Sequence, residues 1–176
     1  MKYFFAVIFL LSVNKGLQAQ SKAVIGMTIA KVKKIYPDIK NELYDKTTTL
    51  SRPEILYGLD GSWGYRIEKE KLDWIYFSKY IDEINEPNFK KCLKAAKQLI
   101  KDYTKKYGVH DSSITGNTKF IDPYKTRHWG YHVIEARWKN YQGMKLNVEF
   151  TFMGGKGSYH FLVKLNYFGK DYLYFD

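Results

Sequence analysis

The last third of the chain alternates apolar and polar residues over three successive segments, and this pattern most limits the fold. In each segment one set of alternate positions is largely apolar: His132, Ile134, Ala136 and Trp138; Met144, Leu146, Val148, Phe150 and Phe152; Tyr159, Phe161, Val163, Leu165 and Tyr167. The positions between them are largely polar. Because successive side chains of a strand point to opposite faces, the pattern predicts an antiparallel meander with one packed and one wet face.

A long helix is predicted over residues 87–107, where it can cover the packed face. Apolar residues recur at helical spacing from Phe89 onward. Pro87 fits the first turn, and Gly108 fits the left-handed position after the last one. Cys92, the single cysteine of the chain, belongs to the apolar stripe. This position favours a buried, unpaired thiol over a disulfide with another chain.

A short helix is predicted near the start of the first half, over residues 27–37. Thr28 is suited to the N-cap, because its hydroxyl can accept an N–H group of the first turn. Pro37 then ends the helix. Strands are predicted between residues 47 and 80, with a tight turn at Asp60-Gly61 and a polar turn over 68–71.

Together these elements predict one α+β domain over residues 20–176, with an antiparallel sheet packed against two helices. The order is helix, three strands, helix, three strands. This order makes residues 25–80 and 87–168 two candidate copies of one repeat unit. Residues 109–128 are rich in turn formers, which fits either an ordered connection or a mobile loop.

Two features resemble known families. Ile25-Gly26-Met27-Thr28 followed by Val32 resembles the start of small outer-membrane-assembly lipoprotein domains. The tandem helix-plus-three-strand layout is similar to that of secreted β-lactamase-inhibitor proteins. The chain lacks the lipid-bearing cysteine of the first family and the disulfide cysteines of the second. The resemblance implies a concave sheet face that binds protein, and it implies no catalytic residue.

The N-terminus has the pattern of an export signal. Lys2 precedes an apolar run over 3–13, and Ala19 offers a small residue at a cleavage point. We therefore predict a signal peptide over residues 1–19 and a periplasmic or secreted product. The run is shorter than the roughly 20 residues that a membrane span needs, and no later run has that length. In such a compartment the net charge of +11 does not indicate a nucleic-acid partner.

The sequence contains no convincing catalytic or metal motif, and we predict no cofactor. His128 and His132 share one face of a strand, but no third ligand at a defined spacing supports a metal site. Glu135 and Glu149 form a carboxylate pair that fits glycoside hydrolysis. Their basic surroundings favour cross-strand ion pairs instead. The glycine-rich segment 154–157 joins two strands and is read as a hairpin turn.

The predicted long helix also carries a row of lysines opposite its apolar stripe: Lys90, Lys94, Lys97, Lys101 and Lys105. This row fits a solvated face, and it also fits contact with anionic headgroups, a polyanionic glycan or an acidic protein.

Strand 72–80 is apolar on both faces, with Trp74, Tyr76 and Tyr80 on one and Ile75 and Phe77 on the other. If the helix covers the second set, the first set remains on the open sheet unless another segment covers it. Exposed Trp, Tyr and Arg are frequent anchors of protein interfaces.

The favoured function is therefore an exported, non-catalytic binding protein of the cell envelope, with a protein partner bound on the open sheet face. A glycan-binding module that uses Trp74 and Tyr76 is the alternative, and a hydrolase ranks third. The candidate binding residues are Trp74, Tyr76, Glu135, Arg137, Lys145 and Glu149.

Overall fold

The chain folds around an eight-stranded antiparallel sheet, seen in a computed structural model that describes residues 21–44, 47–126, 130–141, 144–155 and 158–169. The strands are β1 (Lys40–Tyr44), β2 (Thr47–Leu56), β3 (Leu59–Glu68), β4 (Lys71–Ile81), β5 (Ser112–Thr115), β6 (Gly130–Tyr141), β7 (Met144–Gly155) and β8 (Ser158–Gly169). The helices are α1 (Ile29–Ile35), α2 (Glu86–Tyr107) and α3 (Pro123–Thr126). The predicted α+β class with an antiparallel sheet is confirmed.

The strand order across the sheet is β1-β2-β3-β4-β8-β7-β6-β5. Each half of the chain contributes a helix followed by a four-stranded meander, and the last strands of the two halves, β4 and β8, pair in the centre. The prediction of three strands per half missed the edge strands β1 and β5. All four residues of β5 are exposed, so this strand carries no alternation that a sequence pattern reveals.

The turn between β2 and β3 was predicted at the wrong place. Tyr57 and Gly58 form it, with φ values of 51° and 79°, as a two-residue hairpin turn of type I′ requires. Gly61 lies inside β3 opposite Glu54. A Cβ atom at Gly61 would come within 2.5 Å of the Phe77 ring. This glycine therefore serves close packing rather than a turn.

The two main helices differ in how they begin. Thr28 is the N-cap residue of α1, but its side chain makes no capping hydrogen bond, contrary to the prediction. Its backbone instead forms a β-bridge with Lys71, which ties this end of α1 to the sheet. In α2 the Asn85 side chain accepts a hydrogen bond from the Asn88 N–H group, and Gly108 has a φ of 85° after the last turn.

Helix α2 packs on β6, β7 and β8 and closes the hydrophobic core on one face of the sheet. Its buried residues are Phe89, Cys92, Ala95, Ala96, Leu99 and Tyr103. Cys92 is buried, as predicted. Burial raises the pKa of its thiol to about 12, so the reactive thiolate is disfavoured.

A β-bulge in β6 corrects the predicted position of His132. His132 pairs with Thr151 and Ile134 pairs with Phe150, so Val133 is the extra residue. The bulge moves His132 to the polar face of the sheet. On the other face the Tyr131 ring lies 5.6 Å from the buried Phe152 ring.

Candidate functional site

The sheet face opposite the hydrophobic core, called the open face below, collects polar side chains from four adjacent strands. Strand registers place them in rows that run across β4, β8, β7 and β6. The three rows at the centre are Tyr76, Asn166, Asn147 and Arg137; Ser78, Lys164, Glu149 and Glu135; and Tyr80, Leu162, Thr151 and His132. Antiparallel pairing therefore brings together residues that are far apart in the chain.

A chain of hydrogen bonds fixes the floor of this face. Trp74 Nε1 donates to Asn166 Oδ1 at 3.1 Å, and Asn166 Nδ2 donates to Asn147 Oδ1 at 2.6 Å. Asn147 Nδ2 then donates to Glu135 Oε1 at 2.9 Å. Because both asparagines are buried, these bonds satisfy amide groups that would otherwise be costly to desolvate.

Glu135 ends this chain in an ion pair with Arg137. Arg137 donates from Nε to Glu135 Oε1 at 2.7 Å and from Nη2 to Oε2 at 3.0 Å. His132 Nδ1 lies 3.8 Å from the same Oε2. The Glu135 side chain is only 1 % exposed, so loss of Arg137 would leave a buried carboxylate without its ion-pair partner. The pairing runs along β6, not across strands as predicted.

The open face is concave at this point and encloses a cavity of about 480 Å³. This volume lies within the range of roughly 300–1,000 Å³ that is typical of ligand sites. Polar and apolar residues share the lining: Trp74, His132, Glu135, Arg137, Asn147, Glu149, Thr151, Met153, Leu162, Lys164, Asn166 and Phe168.

Glu149 is the carboxyl group of this cavity that has no hydrogen bond to any described residue. It lies between Glu135 on β6 and Lys164 on β8 and is half-buried. Burial raises its pKa and the Glu135 charge adds to this effect, while Lys164, His132 and Arg137 act in the opposite direction. The cavity therefore offers a carboxyl group that can bind a donor or a proton.

An aromatic row forms the wall beside the cavity. The Trp74 ring stacks on Phe168 with centroids 5.5 Å apart and contacts Tyr76 at 4.7 Å. On the other flanking strand, the Arg66 guanidinium lies 5.1 Å from the Trp74 ring centroid. A Cβ atom at Gly64 would lie 2.2 Å from the Tyr76 ring, so this glycine leaves space for the tyrosine. The indole thus has a packed neighbour on each flanking strand.

Four of the six predicted site residues line the cavity, namely Trp74, Glu135, Arg137 and Glu149. The other two lie at its edge: Tyr76 packs against Trp74, and Lys145 pairs with Phe168. Sequence reasoning placed Asn147, Lys164 and Asn166 on the wet face but did not select them. Burial at facing positions of β7 and β8 distinguishes Asn147 and Asn166, whereas Lys164 is half-buried and has no such signal.

The predictions on metal binding, the signal peptide and membrane spans can be compared with the described residues only. Among the described residues, no group of three or more His, Cys, Asp or Glu side chains is placed to hold a metal. His128 and the predicted signal peptide, residues 1–19, lie outside the described residues. Within that described part, no helix is long and apolar enough to cross a membrane.

Three comparisons with known proteins find no match. No protein-family model matches the chain, and no curated protein or solved structure matches it either. The function is therefore inferred from the geometry and chemistry of the site.

Proposed function

We propose that the protein is an exported, non-catalytic binding protein of the cell envelope and that its open face binds a protein partner. The observation that carries the proposal is the hydrogen-bonded chain from Trp74 to Arg137 at the floor of a concave cavity. Side chains held in one geometry lose little conformational entropy on binding. This rigidity favours specific recognition over diffuse attraction.

The chemistry of the open face also supports a protein partner. Arg137 and Tyr80 belong to the residue types that dominate interface energetics. Tyr80 is 50 % exposed and lies in a row with the cavity residues Leu162, Thr151 and His132, and Met153, in the cavity lining, is 40 % exposed. These exposed apolar side chains give a partner apolar area to bury at the interface.

Two sequence features support the export and partner parts of the proposal. The charged and apolar pattern over residues 1–19 is typical of a signal peptide. The resemblance to secreted β-lactamase-inhibitor proteins implies a concave sheet face that binds protein. N-terminal sequencing of the exported protein is expected to begin at Gln20, and a sequence that begins at Met1 contradicts export with cleavage.

The packing of Trp74 disfavours the glycan alternative. Sugars stack on an open aromatic face, whereas the Trp74 ring already lies between Arg66 and Phe168. Tyr76 in turn packs against Trp74. The buried asparagine amides are bonded to each other and to their neighbours. Sugar binding would have to displace these contacts.

One observation favours a hydrolase as the second candidate. Glu149 has a raised pKa, which is a property of general acids. The adjacent Glu135 is held by Arg137 and Asn147, which leaves it poorly placed as a base or nucleophile. Hydrolysis of a glycoside or ester by the wild type, lost in Glu149→Gln, would support this candidate over binding.

A paired comparison tests the binding proposal. The immobilised protein is exposed to an envelope extract, and a double variant Tyr80→Ala, Met153→Ala is compared with the control Val109→Ala, Tyr124→Ala. The control residues are also exposed, at 81 % and 62 %, and neither lines the cavity. A protein retained by the wild type and the control is expected to be lost from the open-face variant. Equal retention by all three contradicts the proposal.

A further inference from the structure

The outer side of α2 carries a straight line of five lysines, called the lysine ridge: Lys90, Lys94, Lys97, Lys101 and Lys105. All five are exposed. At about 100° per residue, these spacings place them within a sector of about 80°. The centre of that sector is opposite the buried side of the helix. With a rise of 1.5 Å per residue, the ridge is about 22 Å long.

The charge of the ridge is almost uncompensated. Lys90 forms an ion pair with Glu86 at 2.7 Å. Among the described residues, no carboxylate lies within ion-pair distance of the other four ridge lysines. The remaining acid of α2, Asp102, accepts hydrogen bonds from Tyr57 and Gln98 instead. Like charges three or four residues apart destabilise a helix, so bound anions would relieve this repulsion.

The shape of the ridge limits its partner. The ridge is the convex side of a helix whose other side packs on the sheet, and a convex line of charges meets a flat surface along its whole length. Half-buried Leu93 and Gln98 flank the lysines. The other exposed lysines of α2, Lys91 and Lys106, lie near opposite ends of the helix and do not form the second basic wall that would enclose a linear polymer. Lysine ammonium groups are hydrated and flexible, which suits a diffuse layer of charge.

We propose that the lysine ridge adsorbs the protein to a bilayer that contains anionic phospholipid. The contact is electrostatic, because most apolar residues of α2 are buried against the sheet and the others, including Leu93, are partly buried against the core. Juxtaposed basic residues attract the negative surface of such bilayers additively, and the attraction fades within a Debye length. The ridge is separate from the open face, so the two proposals stand or fall independently.

Vesicle co-sedimentation tests the proposal directly. Phosphatidylcholine vesicles with about one third phosphatidylglycerol are compared with pure phosphatidylcholine vesicles at low and high salt. We expect at least about tenfold stronger partition to the anionic vesicles at low salt, and its loss at high salt. Equal partition to both vesicles, or binding that persists at high salt, overturns the proposal.

Two triple variants separate the effect of the ridge lysines on vesicle binding from the effect of net charge. Lys94→Glu, Lys97→Glu, Lys101→Glu changes the ridge, and Lys31→Glu, Lys33→Glu, Lys34→Glu makes the same charge change at exposed positions of α1. The ridge variant is expected to lose at least about tenfold in partition, and the control to keep most of it. Equal loss overturns a specific ridge. Binding to soluble dextran sulfate without sedimentation on vesicles overturns the lipid assignment.

Discussion

The open face and the lysine ridge are both polar surfaces, but they are built in opposite ways. On the open face, hydrogen bonds link Trp74, Asn166, Asn147, Glu135 and Arg137 across four strands. On the ridge, one ion pair, Lys90 with Glu86, joins a ridge lysine to another described residue. The first surface has fixed geometry and partly buried charges, and the second has mobile, hydrated charges.

This difference teaches that charge count and binding specificity are separate properties. The lysine ridge contributes more net charge, yet its attraction is screened by salt and tolerates many anions. The cavity of the open face has two carboxylates, Glu135 and Glu149, against Arg137 and Lys164, and its selectivity comes from where donors and acceptors lie. We therefore expect the ridge to govern adsorption to anionic bilayers and the open face to govern recognition of the protein partner.

The largest effect is expected from a substitution that breaks the fixed geometry of the open face. Arg137→Ala removes both hydrogen bonds from Arg137 to Glu135 and leaves a carboxylate that is 1 % exposed. We expect the free energy of unfolding to fall by about 3 kcal/mol, measured by urea denaturation. The double variant Glu135→Gln, Arg137→Met removes both charges, keeps a side-chain oxygen that can accept from Asn147, and is expected to recover most of the loss. A single variant as stable as the wild type contradicts the ion-pair account.

The next effect concerns the packing that holds the lysine ridge in place. Cys92 lies on the buried side of α2, so Cys92→Ala leaves a small gap beneath the helix. We expect a loss of about 1 kcal/mol, as for a small truncation in a core, and slow reaction of the folded wild type with thiol reagents. Rapid labelling under native conditions would show that α2 is not firmly packed.

A smaller, pH-dependent effect on stability is expected from a substitution of Glu149. Folding raises the pKa of this carboxyl, chiefly by burial. The contribution of Glu149 to the free energy of unfolding is therefore fully present at pH values below the ordinary glutamate pKa. It is lost as the pH rises through the pKa of the native state. Glu149→Gln is expected to be more stable than the wild type at neutral pH and to show no gain in acid. Denaturation at several pH values measures the difference in stability between the two proteins. An equal gain in stability at all pH values contradicts a raised pKa at Glu149.

The smallest effect is expected on the ridge itself. Lys94→Gln, Lys97→Gln, Lys101→Gln removes three exposed charges with no carboxylate partner among the described residues. Stability should change by no more than about 0.5 kcal/mol, with any gain due to relieved repulsion. Thermal unfolding at low salt measures this. A loss as large as that of Arg137→Ala would show that the ridge is a structural element after all.

The sequence alone predicted the elements whose signals are local. Alternation identified the two faces of β7 and β8, and helical spacing identified α2 with its buried Cys92. Propensity also located the turn at Lys69 and Glu70, where both φ values are positive. These features depend on strand and helix periods and on turn geometry, which act over a few residues.

Only the tertiary structure decided the details that build the cavity. The bulge at Val133 turns His132 toward Glu135, and the central pairing of β4 with β8 places Trp74 beside Asn166. The actual turn at Tyr57 and Gly58 lets Leu56 and Leu59 reach the core. Register and bulges are chosen by how whole strands share one hydrophobic core, and no short stretch of residues carries that information.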